Sequence, residues 1–100
     1  MSIGSWRSKI DEIDTKILEL MQTRIGIVEE IGRVKVKAGL PLVDEERERE
    51  IINRLVKSRT GPLSAEAVKT IFNCIIQESR WVQTENIAKI RQENNILKQQ

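Results

Sequence analysis

Apolar positions between about Trp6 and Ala38 recur in steps of three and four residues, the period of one face of an α-helix. The positions on this stripe are Ile10, Ile13, Ile17, Leu20, Arg24, Ile27, Ile31, Val34 and Ala38. The stretch contains no proline and two tolerable glycines, Gly26 and Gly32. Roughly 33 residues at 1.5 Å each give a rod of about 50 Å, whereas a compact chain of this length has a radius of gyration of only about 13 Å. The pattern therefore predicts a helix too long for a compact monomer, and with it an oligomer.

A short second helix is predicted from Asp44 to about Lys57. Gly39 ends the first helix, because glycine readily adopts the left-handed conformation at a helix C-terminus. An extended link with Pro41 follows, and Asp44 is expected to cap the next helix, with acidic residues in its first turn. The apolar positions expected to be buried there are Ile51, Ile52, Leu55 and Val56.

A third helix is predicted to begin after Ser64, a favoured N-cap residue. Its adjoining rows carry Val68, Ile71, Phe72, Ile75, Ile76, Ser79, Val82 and Gln83, and the pattern extends through Ile87, Ile90 and Leu97. The polar tail from Arg91 is expected to fray. We therefore expect one all-α domain over residues 1–100, with a long, a short and a long helix.

Composition excludes several classes of function. The chain has no histidine, which excludes Ser-His-Asp and Cys-His catalysis and any histidine-containing metal site. Cys74 has no companion ligand for zinc and is expected to be a small buried side chain. The net charge of +2, with cations and acids interspersed, does not predict a nucleic-acid partner. With one cysteine, no visible signal peptide and no apolar run long enough for a membrane span, we expect a cytoplasmic protein.

Each predicted helix carries polar side chains where its period calls for apolar ones. These are Arg24 and Lys35 on the first helix, Arg47 and Glu48 on the second, and Ser79 and Gln83 on the third. A buried unpaired charge costs several kcal/mol, so these groups must meet each other or a ligand. One interpretation is an internal network, Arg24 or Lys35 with Glu48, that fixes dimer register. The other is a cation-rich pocket for a small, multiply anionic ligand, because guanidinium groups bind carboxylates bidentately.

Arg7 is relevant to the interpretation as a cation-rich pocket. It lies seventeen residues before Arg24, about 25 Å along the helix. Within one chain, therefore, the two cannot hold the same small molecule. In an antiparallel dimer, the first turn of one long helix can lie beside the middle of the other, and Arg7 would then enter the partner's pocket. Taken alone, an arginine at this position is typical of solvated surface.

These residues together resemble the AroQ class of chorismate mutases. The matching motifs are Arg7-x-Lys9-Ile10-x-x-Ile13-Asp14, Leu20-x-x-x-Arg24, Ile31-Gly32-x-x-Lys35, Pro41-x-x-Asp44-x-x-Arg47-Glu48 and Ile75-Ile76-x-x-Ser79-x-x-x-Gln83. They cover the chain from about Ser5 to Gln83 in order. The resemblance implies an intertwined all-α homodimer with two equivalent active sites. It also implies the conversion of chorismate to prephenate in the shikimate pathway to phenylalanine and tyrosine.

By motif position, the resemblance also implies roles for single residues. Arg24, and Arg7 of the partner subunit, would hold the substrate carboxylates, and Arg47 and Ser79 would support the ring-carboxylate end. Lys35 and Gln83 would hydrogen-bond the ether oxygen of the breaking C–O bond. Glu48 and the backbone at Asp44 would take the ring hydroxyl. The expected apolar walls are Ile31, Ile51 and Ile76.

The reaction is an intramolecular pericyclic rearrangement, so no metal, cofactor, nucleophile or proton transfer is expected. The helices would hold a compact substrate conformer and stabilise the charge that develops on the ether oxygen. Because Gln83 is an amide, activity is expected without a requirement for acidic pH. Two alternatives stay open: an isochorismate-pyruvate lyase on the same fold, and a non-catalytic helical dimerisation or regulatory module. Glu48 favours the mutase over the lyase, since its carboxylate suits the substrate hydroxyl.

Overall fold

A computed structural model describes residues 2–98, without the side chains of residues 90, 91, 94, 95, 97 and 98. Over this range the backbone forms three α-helices and no strand: α1 (Ile3–Ala38), α2 (Glu45–Ser58) and α3 (Ala65–Lys98). The prediction of an all-α chain with a long, a short and a long helix is confirmed. None of the helices in this range has the length and apolar character needed to cross a bilayer.

Local capping side chains set the helix boundaries. α1 begins three residues earlier than predicted, because Ser2 Oγ accepts a hydrogen bond from the backbone N–H of Ser5 at 3.2 Å. Gly39 ends α1 in the left-handed region at φ 69°, as predicted. Asp44 caps α2 by accepting the backbone N–H of Arg47 at 3.0 Å. Ser64 Oγ likewise accepts the N–H of Ala67 at 3.0 Å at the start of α3.

α3 is the element on which the other two helices pack. The buried side chains of the described part all belong to it: Val68, Ile76, Ser79, Gln83 and Ile87. The apolar residues of α2 that were expected to be buried are only half-buried. The radius of gyration is 18.2 Å and the longest dimension is 64 Å, well beyond a compact chain of this length. One chain therefore encloses little hydrophobic core.

Most of the apolar stripe of α1 does not face α3. α1 approaches α3 through Gly32, its buried residue, and at about 100° per residue Ile27 lies some 140° around the helix from that point. Leu20 and Val34 are consequently 70% and 65% exposed. Every residue from 2 to 23 is exposed as well. Most of the apolar stripe of α1 thus has no partner from its own chain.

The prediction that Cys74 is buried was wrong, since the residue is exposed. At about 100° per residue it lies roughly 160° around the helix from the buried Ile76. The backbone of α3 is helical through Lys98. Fraying is a motion of the helix end in solution, so the fraying of the tail stays a prediction. The side chains of Ile90 and Leu97 lie outside the described residues.

Candidate active site

One cavity of about 270 Å³ lies among the three helices and draws residues from each of them. Its walls are apolar and are formed by Ile27, Val28, Ile31, Leu42, Ile51 and Ile76. The three wall residues expected from the sequence are among them. A cavity with apolar walls and a few convergent polar groups is the usual form of a small-molecule site.

Seven of the eight predicted site residues line this cavity: Arg24, Lys35, Asp44, Arg47, Glu48, Ser79 and Gln83. The fold thus gathers side chains that lie up to 59 positions apart in sequence. Arg7 does not line it. That residue is exposed in the N-terminal half of α1, about 25 Å from Arg24 along the helix, so it does not reach the cavity of its own chain.

Arg24 is held by a side chain of α3. Its Nη1 donates to Ser79 Oγ at 2.9 Å. The Ser79 hydroxyl in turn donates to the carbonyl oxygen of Ile75, one turn back in α3, at 2.8 Å. The serine is buried and the arginine half-buried. This chain orients the guanidinium at the cavity while leaving most of its five N–H donors for a ligand.

Lys35 is fixed from the link between α1 and α2. Its Nζ donates to the carbonyl oxygen of Leu42 at 3.1 Å, and the side chain is half-buried. An ammonium group has three donors, so two remain beside the cavity. The cation therefore has a defined position with capacity to bind a further acceptor.

Gln83 is buried against α1. Its Nε2 donates to the carbonyl oxygen of Val28 at 3.0 Å. The close approach of the two helices at this point depends on Gly32, since a Cβ built there would lie 3.3 Å from Gln83 Cγ. The second N–H of the amide has no partner recorded in the described part of the chain, and it is available to a ligand.

Glu48 pairs with Arg80, a residue that the sequence reasoning missed. Arg80 Nε donates to Glu48 Oε2 at 2.8 Å, and Arg80 Nη2 donates to Glu48 Oε1. The hydrogen bond to Glu48 raises the pKa of Arg80 above its usual value; partial burial opposes this, and the charges of Glu48 and Glu45 add to it. A sequence signal existed, because Arg80 lies four residues after Ile76 and three before Gln83, so it borders the same face of α3.

The internal network considered from the sequence is not the one observed. Within residues 2–98, no salt bridge joins Arg24 or Lys35 to Glu48, and the carboxylate has Arg80 as its partner instead. Arg24 and Lys35 therefore keep their charges beside the cavity without a carboxylate of the described chain to neutralise them.

The mouth of the cavity carries the first turn of α2. Arg47 is exposed, and its ion pair with Glu50, at 3.6 Å, is exposed too. Such surface pairs contribute little and break easily, so this guanidinium is free to turn to a ligand. The Asp44 carboxylate caps α2 through the backbone N–H of Arg47.

The charges around the cavity are unequal. Four cations, Arg24, Lys35, Arg47 and Arg80, line it together with two carboxylates, Asp44 and Glu48. The excess of positive charge suits a ligand with two negative charges. No three acidic or cysteine side chains of the described part come together to hold a metal ion. The arrangement is equipped to bind and orient a small dianion and to stabilise negative charge that develops within it.

Comparison with known proteins gives the family. Residues 6–84 match the family model described as chorismate mutase type II. The chain is 30% identical over 89 residues to the chorismate mutase of Methanocaldococcus jannaschii, covering 88% of this chain and 90% of that protein. It is 38% identical over 74 residues to the bifunctional chorismate mutase/prephenate dehydratase of Aquifex aeolicus, covering 70% of this chain and 20% of that protein.

Solved structures share the fold. The chorismate mutase of Thermus thermophilus, in its form II, superposes with a TM-score of 0.80 and 32% identity, over 82% of this chain and 93% of that one. The chorismate mutase of Helicobacter pylori in complex with prephenate gives a TM-score of 0.80 at 24% identity, over 86% and 93%; at that identity it supports the fold alone. With a family model matched from residue 6 to residue 84, this chain belongs to the type II chorismate mutases.

Proposed function

We propose that the protein is an isomerase that converts chorismate to prephenate in aromatic amino acid biosynthesis. The observation that carries the proposal is the cavity built by all three helices. It combines apolar walls, an excess of cations and two fixed donors, Lys35 and Gln83. Chorismate is a small dianion, and its rearrangement needs no group that this chain lacks.

Binding of the two substrate carboxylates falls to the arginines. Arg24 is oriented by Ser79 and retains donors for a bidentate contact with one carboxylate. Arg47, at the mouth, supports the ring-carboxylate end. Holding both carboxylates restricts the substrate to a compact conformer in which the reacting carbons lie close, and this orientation supplies part of the rate enhancement.

Stabilisation of the transition state falls to Lys35 and Gln83. As the C–O bond breaks, negative charge accumulates on the ether oxygen. Each of the two side chains is anchored to a backbone carbonyl, of Leu42 and of Val28 respectively, so neither has to reorganise during the reaction. Preorganised donors directed at developing charge are worth about 10²–10³ in rate each. Glu48, with the backbone at Asp44, would accept the ring hydroxyl.

The working enzyme in this proposal is a homodimer. The stripe of α1 leaves Ile10, Ile13 and Leu20 at least half exposed. Contiguous apolar surface of this kind marks an interaction site, and a second copy of α1 would cover it. In an antiparallel arrangement Arg7 of the partner subunit would complete each cavity. We place the enzyme in the cytoplasm and treat residues 1–100 as one domain.

The test follows the absorbance of chorismate after purified protein is added, with prephenate identified as product. The wild type should consume chorismate, and Arg24→Ala should lower kcat/KM by about 100-fold or more, since a charged hydrogen-bonding group is lost. Arg33→Ala is the matched control, because this arginine lies on the same helix in an exposed pair with Glu30 and does not line the cavity.

Two outcomes of the same assay would overturn the proposal. Release of pyruvate from isochorismate, with chorismate left unchanged, would identify the lyase. No turnover of either substrate, with no rise of Tm in their presence, would identify a non-catalytic module. A sedimentation mass of one chain would remove the dimer and the role of Arg7.

A further inference from the structure

The salt bridge between Arg80 and Glu48 differs from the other described ion pairs. Each of the three others joins two residues three positions apart on the same helix, with side chains 43–85% exposed. Arg80 and Glu48 lie on different helices, and their side chains are 31% and 23% exposed. Both residues line the cavity. The pair is therefore part of the cavity wall.

Arg80 holds the Glu48 carboxylate by a bidentate contact. Two parallel N–H···O bonds from Arg80, one to each oxygen, define both the position and the plane of the Glu48 carboxylate. A carboxylate offers about four lone-pair sites, so each oxygen retains capacity to accept one more hydrogen bond. The guanidinium also offsets the negative charge of Glu48, which otherwise faces a dianionic substrate.

We propose that Arg80 is the positioning residue of Glu48, holding the carboxylate in the plane from which it accepts the substrate ring hydroxyl. The inference rests on the proposed function and deepens it. Arg80 acts through Glu48 and does not itself contact the reacting atoms. Arginine is not deprotonated in proteins, so the guanidinium is charged at every pH at which the enzyme would be assayed.

A purely structural role makes a different prediction. If the pair only ties α2 to α3, removing it lowers stability and leaves kcat per folded protein unchanged. If Arg80 positions Glu48, its removal must lower catalysis, and the loss must depend on the presence of the Glu48 carboxylate. A double-mutant cycle separates the two roles.

The experiment compares wild type, Arg80→Met, Arg80→Lys, Glu48→Gln and the double variant, each by kcat and KM on chorismate and by Tm. Lys69→Met is the control, because Lys69 lies on the same helix in an exposed pair with Glu66. Arg80→Met should lower kcat/KM by about 10- to 100-fold, as expected for a misplaced group. Arg80→Lys keeps the charge but cannot form both bonds, so it should recover only part of the loss. In the Glu48→Gln background, Arg80→Met should lower kcat/KM little further.

Several results would overturn the inference. One is a kcat/KM within twofold of wild type for Arg80→Met. Another is that Arg80→Met lowers kcat/KM by the same factor in the Glu48→Gln background as in the wild type. If Arg80→Met does not fold, Arg80→Lys decides, since full activity there would show that the paired geometry is not needed. A wild type without mutase activity removes the proposed function and this inference together, whereas an active wild type with an unaffected Arg80→Met removes only the inference.

Discussion

Gly32 of α1 lies directly against the side chain of Gln83 of α3, at a distance that only a glycine allows without a shift. A Cβ on Gly32 would lie 3.3 Å from Gln83 Cγ and 3.4 Å from Gln83 Nε2. The amide is at the same time bonded to the carbonyl of Val28, one turn earlier in α1. The position of Gln83, the proposed donor to the ether oxygen, therefore depends on Gly32 having no side chain.

Gly32→Ala should lower kcat by about 10-fold, because even a small displacement of the amide proposed to be catalytic is costly. Stability should change little, since the higher helix propensity of alanine, worth about 1 kcal/mol, offsets the crowding. Kinetics and thermal unfolding on the same preparation check both statements. Gly26→Ala is the control: nothing lies within 4 Å of the added Cβ, so kcat should stay at the wild-type level while Tm rises. Equal kinetics for the two variants would contradict the proposed placement of Gln83.

Ser79→Ala should raise KM for chorismate and lower kcat/KM by roughly 10-fold or more. The substitution removes the acceptor that orients Arg24, and a hydrogen bond to a charged group contributes about 1.5–3 kcal/mol. Thr84→Ala removes a comparable hydroxyl, which donates to the carbonyl of Arg80 one turn back at an exposed position. Steady-state kinetics of the two variants should separate clearly. A loss of similar size in both would mean that the hydroxyls act on helix stability alone.

The wild type should keep its activity across about pH 6 to 8, since no histidine titrates there. Gln83→Glu should change this, because a carboxyl group donates a hydrogen bond only when it is protonated. The variant should be nearly inactive at neutral pH and gain activity as the pH falls. Gln77→Glu, at an exposed position of α3, is the control and should follow the wild-type profile. A wild type active only in acid would refute the role given to the amide.

Mixing two inactive variants tests the shared site. Arg7→Ala and Arg24→Ala should each lose nearly all activity alone, because each removes a group proposed to bind a substrate carboxylate. In a two-fold symmetric dimer, a mixed dimer has one cavity with both defects and one with neither. Equal mixing, refolding and assay should therefore restore about one quarter of wild-type activity per chain. No recovery, with mixed dimers demonstrated by mass, would place Arg7 outside the partner's site.

The sequence predicted best what depends on local chemistry. The caps Asp44, Ser64 and Gly39 act within a few residues of their own helix ends, so their side chains alone were sufficient. Arg80 was missed for the opposite reason. Its position borders the buried row, and only the crossing of α2 over α3 converts it from a surface charge to a partner of Glu48. Cys74 was misjudged because its expected burial came from residue type alone, whereas its position lies about 160° around α3 from the buried Ile76.

The candidate site shows the same contrast between what local chemistry determines and what helix packing determines. Polar side chains that interrupt an apolar period, such as Arg24 and Gln83, stand out in a sequence because burial without a partner is costly. Their actual partners cannot be obtained this way, since Ser79 Oγ and the Val28 carbonyl are chosen by the crossing of α1 and α3. The side on which the stripe of α1 lies relative to α3 is likewise a tertiary property.

The first twenty or so residues of α1, exposed throughout in a single chain, bear on how the protein acquires its native state. An isolated helical segment of ordinary composition is marginal in water, because most helix stability comes from packing of its apolar face. In the proposed homodimer, that half of α1 would therefore become ordered as two chains meet, so that its folding and the association of the chains form one kinetic step. Recovery of the full helical signal from denaturant should consequently be second order, accelerating in proportion to the concentration of chains.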